Sequence, residues 1–186
     1  MKKFSFNVGL KKAAAAVMTV SALLTMSISS FAGGYEYPLS SANISITNGI
    51  QNCIVDGNIN IENYTNACAF DVNSQTQNVL NGVIAKNANI TNKQNLIGYN
   101  VNVADVNLLN NMLLDGSLTV DNVSKICGRN GNSAALNTIS DFIATGTVDI
   151  NNVIANFGSY QNFTCAIQNL LNNSVSKDLN VTNFAQ

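Results

Sequence analysis

Few side chains in this sequence are equipped to do chemistry, and they are scattered. The chain has no histidine, so Ser-His and Cys-His nucleophile pairs lack their base. One local match survives, Ser174-Val-Ser-Lys177. On a helix, S-x-x-K spacing sets a lysine amine one turn from a serine hydroxyl. The K-T-G and S-D-N companions of that chemistry do not follow. The segment falls at an expected helix end, where a lysine simply offsets the dipole. Paired carboxylates are another route to hydrolysis. Asp121, Asp149 and Asp178 recur beside strand-like segments, but each at a different place relative to its apolar pair, so they read as solvated strand faces. Asp56-Gly-Asn58 reads as a turn, since a Ca2+ loop needs regularly spaced acidic ligands. No catalytic, cofactor or metal residue is assigned, and the chain is expected not to be an enzyme.

The four cysteines are Cys53, Cys68, Cys127 and Cys165. An even count in an exported chain implies two disulfides. Of three connectivities, nearest-neighbour pairing is preferred: Cys53 with Cys68, and Cys127 with Cys165. A loop of about 15 residues closed in this way contributes roughly 3 kcal/mol in the chain-entropy view. A zinc site is disfavoured, with no C-x-x-C pair and no histidine. Tyr35, Tyr37, Tyr64, Tyr99 and Tyr160, set among many asparagines, could stack on and hydrogen-bond a sugar, although ordinary core and rim aromatics look the same in a sequence.

The elements that must position these residues are short and repeated. Gly146-Thr-Val-Asp-Ile-Asn-Asn-Val153 reads as a strand with Val148 and Ile150 on one face. Relatives occur at residues 57–64, 116–123 and 177–184, with weaker copies at 42–48 and 87–92. Between them, Val72, Thr76, Val79, Leu80, Val83 and Ile84 recur at helical spacing. So do Val106, Leu108, Leu109, Met112 and Leu113, and the stripes behind Ser133 and Ser159. The key strand positions Ile90, Val120, Ile150 and Val181 give a period of about 30 residues, one supersecondary unit. The expected fold is therefore mixed α/β: helix–strand repeats over 71–186, behind a small β-rich, disulfide-stapled front at 43–70 and a flexible lead-in at 33–42. The alternative is an all-β solenoid with internal asparagine stacks, suggested by Ile46 and Ile61 lying half a period apart. Against it, the half-period positions Thr76, Ala135 and Cys165 lack alternating Ile/Val pairs.

Composition bounds the rest. Residues 1–32 carry a basic front (Lys2, Lys3, Lys11, Lys12), an apolar stretch from Ala13 to Ile28, and Ser30-Phe-Ala32 before Gly33. This is the pattern of a secretory signal peptide, bacterial in style. It leaves 33–186 as one mature domain. Five basic and ten acidic residues remain there, for a charge of −5 against −1 for the whole chain. That balance argues against nucleic acid and against anionic membrane surfaces. No later segment is apolar enough to span a bilayer. Asparagine, about one residue in six, supplies most of the polarity, as turns would use it. The expectation is a secreted, periplasmic or cell-surface protein, non-enzymatic and without cofactor. It would serve as a structural or interaction module, by self-association or with an envelope or host surface partner. The alternative is a small secreted glycan- or ligand-binding domain.

Overall fold

The structure, a computed structural model, describes residues 12–13, 17–27, 41–157 and 162–186. Every regular element among them is a strand. In chain order these are β1 (Lys12–Ala13), β2 (Val17–Ser27), β3 (Ser41–Val55), β4 (Asn58–Cys68), β5 (Asp71–Ala85), β6 (Asn87–Ile97), β7 (Asn100–Leu114), β8 (Leu118–Cys127), β9 (Asn130–Ala144), β10 (Thr147–Asn156), β11 (Asn162–Val175) and β12 (Asp178–Ala185). Odd strands form one sheet and even strands the other, each stacked in sequence order. All pairings are parallel. From β3 onward the chain coils as a parallel β-solenoid of about 5 turns. One long and one short strand make each turn.

The mixed α/β expectation is thus corrected to its alternative, the all-β solenoid. The repeat is real, with Ser41 stacked on Asp71, Asp71 on Asn100, and Asn100 on Asn130. Its unit, however, is strand–strand. The four expected helices are the long strands β5, β7, β9 and β11. A single backbone feature explains the misreading. Each long strand bends at one left-handed residue: Asn52, Gly82, Asn111, Asp141 and Asn173, all with φ between 49 and 66°. These five lie in one column, each skipped by the ladder pairing on either side of it. The bend shifts the in/out alternation by one. Buried Leu80 is followed by buried Val83, Leu109 by Met112, and Ile139 by Phe142. With outward apolar neighbours such as Val79 and Ile84, this imitates the i, i+3, i+4 stripe of a helix. Only Gly, Asn and Asp hold φ > 0 at low cost, and the column uses only those three.

Asparagine also organises the interior. Asn48, Asn63, Asn78, Asn92, Asn107, Asn122, Asn137 and Asn152 are all buried. They form a zigzag stack between the two sheets, continued by Asn169 and Asn183. Each donates one amide hydrogen to the asparagine half a turn on and the other to that a full turn on, as Asn63 does to Asn78 (3.0 Å) and Asn92 (2.8 Å). The stack divides the core. Ile59, Ile61, Leu80, Leu109 and Phe142 pack on one side of it, and Ile44, Val72, Leu96 and Ile126 on the other. A buried polar network of this kind is stable only if fully satisfied, and the half-turn/full-turn pattern satisfies it.

The corners are tight. A side chain at Gly116 would meet the Lys86 carbonyl oxygen at 2.6 Å, and one at Gly146 would meet Gly116. Of the expected signal segment 1–32, only Lys12–Ala13 and Val17–Ser27 are among the described residues, paired through their backbones with β3 and β4. The expected cleavage point and the lead-in up to residue 40 lie outside the described residues. Among the described residues, no helix is long and apolar enough to cross a membrane.

Candidate functional site: an amide-lined groove

The first residues of the long strands build an extended polar surface. Two outward columns run along the solenoid axis. One is Ser41, Asp71, Asn100, Asn130 and Asn162, and the other is Asn43, Asn73, Asn102, Asn132 and Thr164. Together they line a groove of about 880 Å³. Within the second column Asn73 donates to Asn43 (2.8 Å), Asn102 to Asn73 (2.9 Å) and Asn132 to Asn102 (3.0 Å). Within the first, Asn100 donates to Asp71 (2.7 Å) and Asn130 to Asn100 (3.0 Å). These bonds hold the amides upright at strand spacing, about 4.8 Å. A primary amide has two hydrogens and two acceptor lone pairs. At Asn73, Asn100 and Asn130 the ladder uses one of each, leaving a further donor and acceptor for a ligand, whereas the Asn102 oxygen accepts from both the side-chain amide and the backbone N–H of Asn132.

The groove is nearly neutral, Asp71 being its one charged lining residue among those described. Phe163 closes one end. Its ring sits against Gly131, where a Cβ would come within 2.8 Å of it and 1.8 Å of the Val101 carbonyl oxygen. Glycine at 131 is therefore what admits the phenyl ring. At the rim, the residues preceding three of the groove rungs form a file of their own. Phe70 stacks on Tyr99 with ring centroids 5.0 Å apart. Arg129 lies over the Tyr99 ring and donates to its hydroxyl (3.2 Å). This repeated array of amides can bind a linear molecule bearing hydroxyls at regular intervals. It holds no nucleophile–base pair.

The residues singled out from the sequence fare differently. Tyr99 borders the groove, but Phe70 and Arg129 occupy successive rungs beside it, so its ring faces are taken and it cannot stack on a sugar as expected. Tyr64 lies in β4 of the other sheet, with the Lys93 amine 5.5 Å from its ring centre. Tyr35, Tyr37 and Tyr160 lie outside the described residues. Ser174 and Lys177 are not on a helix: Ser174 ends up in β11, donating to the Asn172 carbonyl (3.1 Å), and Lys177 turns the corner after it. Asp121, Asp149 and Asp178 stack on Asn151, Asn180 and Thr147 respectively, in three separate columns, and form no shared site. Gly57 is a corner whose carbonyl accepts from the Lys86 amide. No cluster of His, Cys, Asp or Glu among the described residues could hold a metal ion.

All four cysteines are free thiols in the structure. The expected bridges are not formed, and for the first pair strand length shows why. Cys53 sits near one corner and Cys68 at the far end of β4, eleven residues away along a strand rising about 3.3 Å per residue. Cys127 ends β8, whereas Cys165 stacks on Ser133, inside the next strand and one rung up. The first separation far exceeds the roughly 7 Å between Cα atoms that a disulfide spans.

One buried carboxylate escaped the sequence reading. Asp105 is 1% exposed, on the inner face of β7. It accepts from Gln94 Nε2 (2.6 Å) and Ser124 Oγ (3.2 Å). Burial pushes its pKa from 3.8 up to about 6, against the opposing pull of its hydrogen bonds. With Val103 and Asn107 inward on either side of it, alternation alone points to the position. The groove had a sequence signal too: Ser-Ala-Asn at 41–43, Asp-Val-Asn at 71–73, Asn-Val-Asn at 100–102 and Asn-Gly-Asn at 130–132. No protein-family model, curated protein or solved structure matches this chain.

Proposed function

We propose that this is an exported, non-enzymatic interaction protein whose working surface is the amide groove, and that its ligand is a neutral, hydroxyl-rich chain such as a glycan. The observation that carries this reading is the double file of ordered amides, Asn43–Asn73–Asn102–Asn132 beside Asp71–Asn100–Asn130. Order matters energetically. Each side chain is already held by its neighbours, so little rotamer entropy is lost when a ligand binds. Low charge suits a neutral ligand, and regular spacing suits a polymer whose contacts repeat. Recognition then rests on hydrogen bonds from amides rather than on aromatic stacking.

The test is affinity electrophoresis through gels containing soluble linear polysaccharides, followed by calorimetry on any that retard the protein. Neutral glycans should retard it. The pair Asn73→Ala and Asn102→Ala should weaken binding about tenfold or more with an unchanged circular dichroism spectrum. Equal retardation of wild type and double variant would remove the groove from the account.

A further inference from the structure

The two ends of the solenoid are complementary, and we infer that a second copy of this chain stacks on the last turn. This goes beyond the groove and needs no ligand. The last rung is built like the interior but lies open. Leu179 stacks on Val148 and Val181 on Ile150. Val148 and Ile150 are 2% and 1% exposed, whereas Leu179 and Val181 are 51% and 42% exposed. Phe184 is exposed beside them. Among the described residues no further rung stacks on them. Solenoids normally close such an end with a polar cap, and among the described residues nothing covers β11 and β12. The edge also lacks the usual blunting devices: neither strand contains a proline or a lysine.

The first turn supplies what the last one lacks. Continuing the register by one rung sets Ile46 over Ile167, Ile50 over Leu171, Ile59 over Leu179 and Ile61 over Val181. Asn48 then falls over Asn169, and Asn63 over Asn183. The asparagine stack has a direction, each amide donating toward the C-terminal end. Asn183 therefore presents donors, and Asn48 presents its acceptor oxygen, so the stack would continue across the junction without reversal. On the receiving side, β3 has no strand partner from Ser41 to Gln51 among the described residues, although Ile46 and Ile50 are only 7% and 6% exposed in the single chain. The edge of β4 is paired with β2. Removal of residues 1–32, expected from the sequence, uncovers it. Because the contact joins one end to the other, it is heterologous and repeats indefinitely, giving a filament rather than a dimer.

The test is multi-angle light scattering and electron microscopy of exported protein whose intact mass begins at Gly33, beside the variant Leu179→Lys with Val181→Lys. Both positions are exposed in the single chain, so the variant keeps its fold, as circular dichroism would verify. The expected result is unbranched filaments with a fibre-diffraction spacing of about 4.8 Å along the axis, and their loss in the variant. A monodisperse wild-type monomer overturns the inference. Filaments that form equally well from the variant also overturn it.

Discussion

Asn78 donates an amide hydrogen to Asn107 across one full turn of the solenoid, at 2.8 Å. Asn107 also accepts from Asn92 (3.2 Å) and donates to Asn122 (3.0 Å) and Asn137 (2.8 Å). Two donors and two acceptors are thereby used in full, in a residue with no exposed surface. Asn107→Ala deletes one partner from each of four neighbours. At about 1 kcal/mol or more per orphaned buried group, the loss should be on the order of 4 kcal/mol. Asn102→Ala, on the wet groove face, should cost under about 1 kcal/mol because water replaces the partner. Urea unfolding midpoints of the two variants measure the contrast.

The left-handed column makes a separate prediction. Asn111 has φ near 50°, a conformation that costs an ordinary residue about 1–2 kcal/mol. Asn111→Ala should lower stability by about that amount. Asn111→Gly should be close to neutral, although the bond from Asn111 to Asn81 (3.1 Å) is lost. The order Gly above Ala, read from thermal melts, checks that strain rather than contact loss governs the site.

Asp105 predicts a pH dependence. Its folded pKa lies above its unfolded one, at about 6 against 3.8, so the folded state binds the proton more tightly. The stability this lends is fully present below about pH 4 and is lost as pH rises through about 6. The loss is on the order of 3 kcal/mol. Asp105→Asn should flatten the stability profile between pH 4 and 6. It should also raise stability at pH 7, where the wild type carries a buried charge. Chemical denaturation across that range shows the slope or its absence.

Gly131 tests the packing under the groove. A methyl group there would meet the Val101 carbonyl oxygen at 1.8 Å and the Phe163 ring at 2.8 Å. Gly131→Ala should destabilise by about 1–3 kcal/mol as the rung shifts. Gly49, with nothing within 4 Å, should accept alanine with little change. A melt comparison of the two decides it.

The even strands were legible in the sequence because they are short, straight and strictly alternating. Val148, Ile150 and their equivalents Leu118 and Val120 announce themselves. The odd strands were not. Their bend column breaks the alternation, and their inner positions hold Ser74, Thr76, Asp105 and Ser133 instead of Ile or Val. The half-period test failed at Thr76 and Ala135, which do share a column with Ile46 and Asp105. At Cys165 it missed by two positions, because β11 is offset by a longer corner and Ile167 is the residue over Ala135. The asparagine that recurs after each short strand has the sequence signature of a turn residue. It is Asn63, Asn92, Asn122, Asn152 and Asn183, one half of the buried stack. A buried asparagine and a turn asparagine look alike until both sheets are known, since the partner that satisfies each amide comes from about 15 or 30 residues away. The groove was hidden for a related reason. Its residues are ordinary polar outward positions until parallel stacking brings every thirtieth residue into one line.

The measurement that bears most directly on the account is hydrogen exchange of asparagine side-chain amides, followed by NMR. If the asparagines form a stack inside a two-sheet solenoid, the Nδ2 hydrogens of Asn78, Asn92, Asn107, Asn122 and Asn137 will exchange slowly. They will also show cross-peaks linking residues a half turn and a full turn apart. Rapid exchange of all these amides, as solvent-facing turn residues would give, would contradict the fold and the groove built on it.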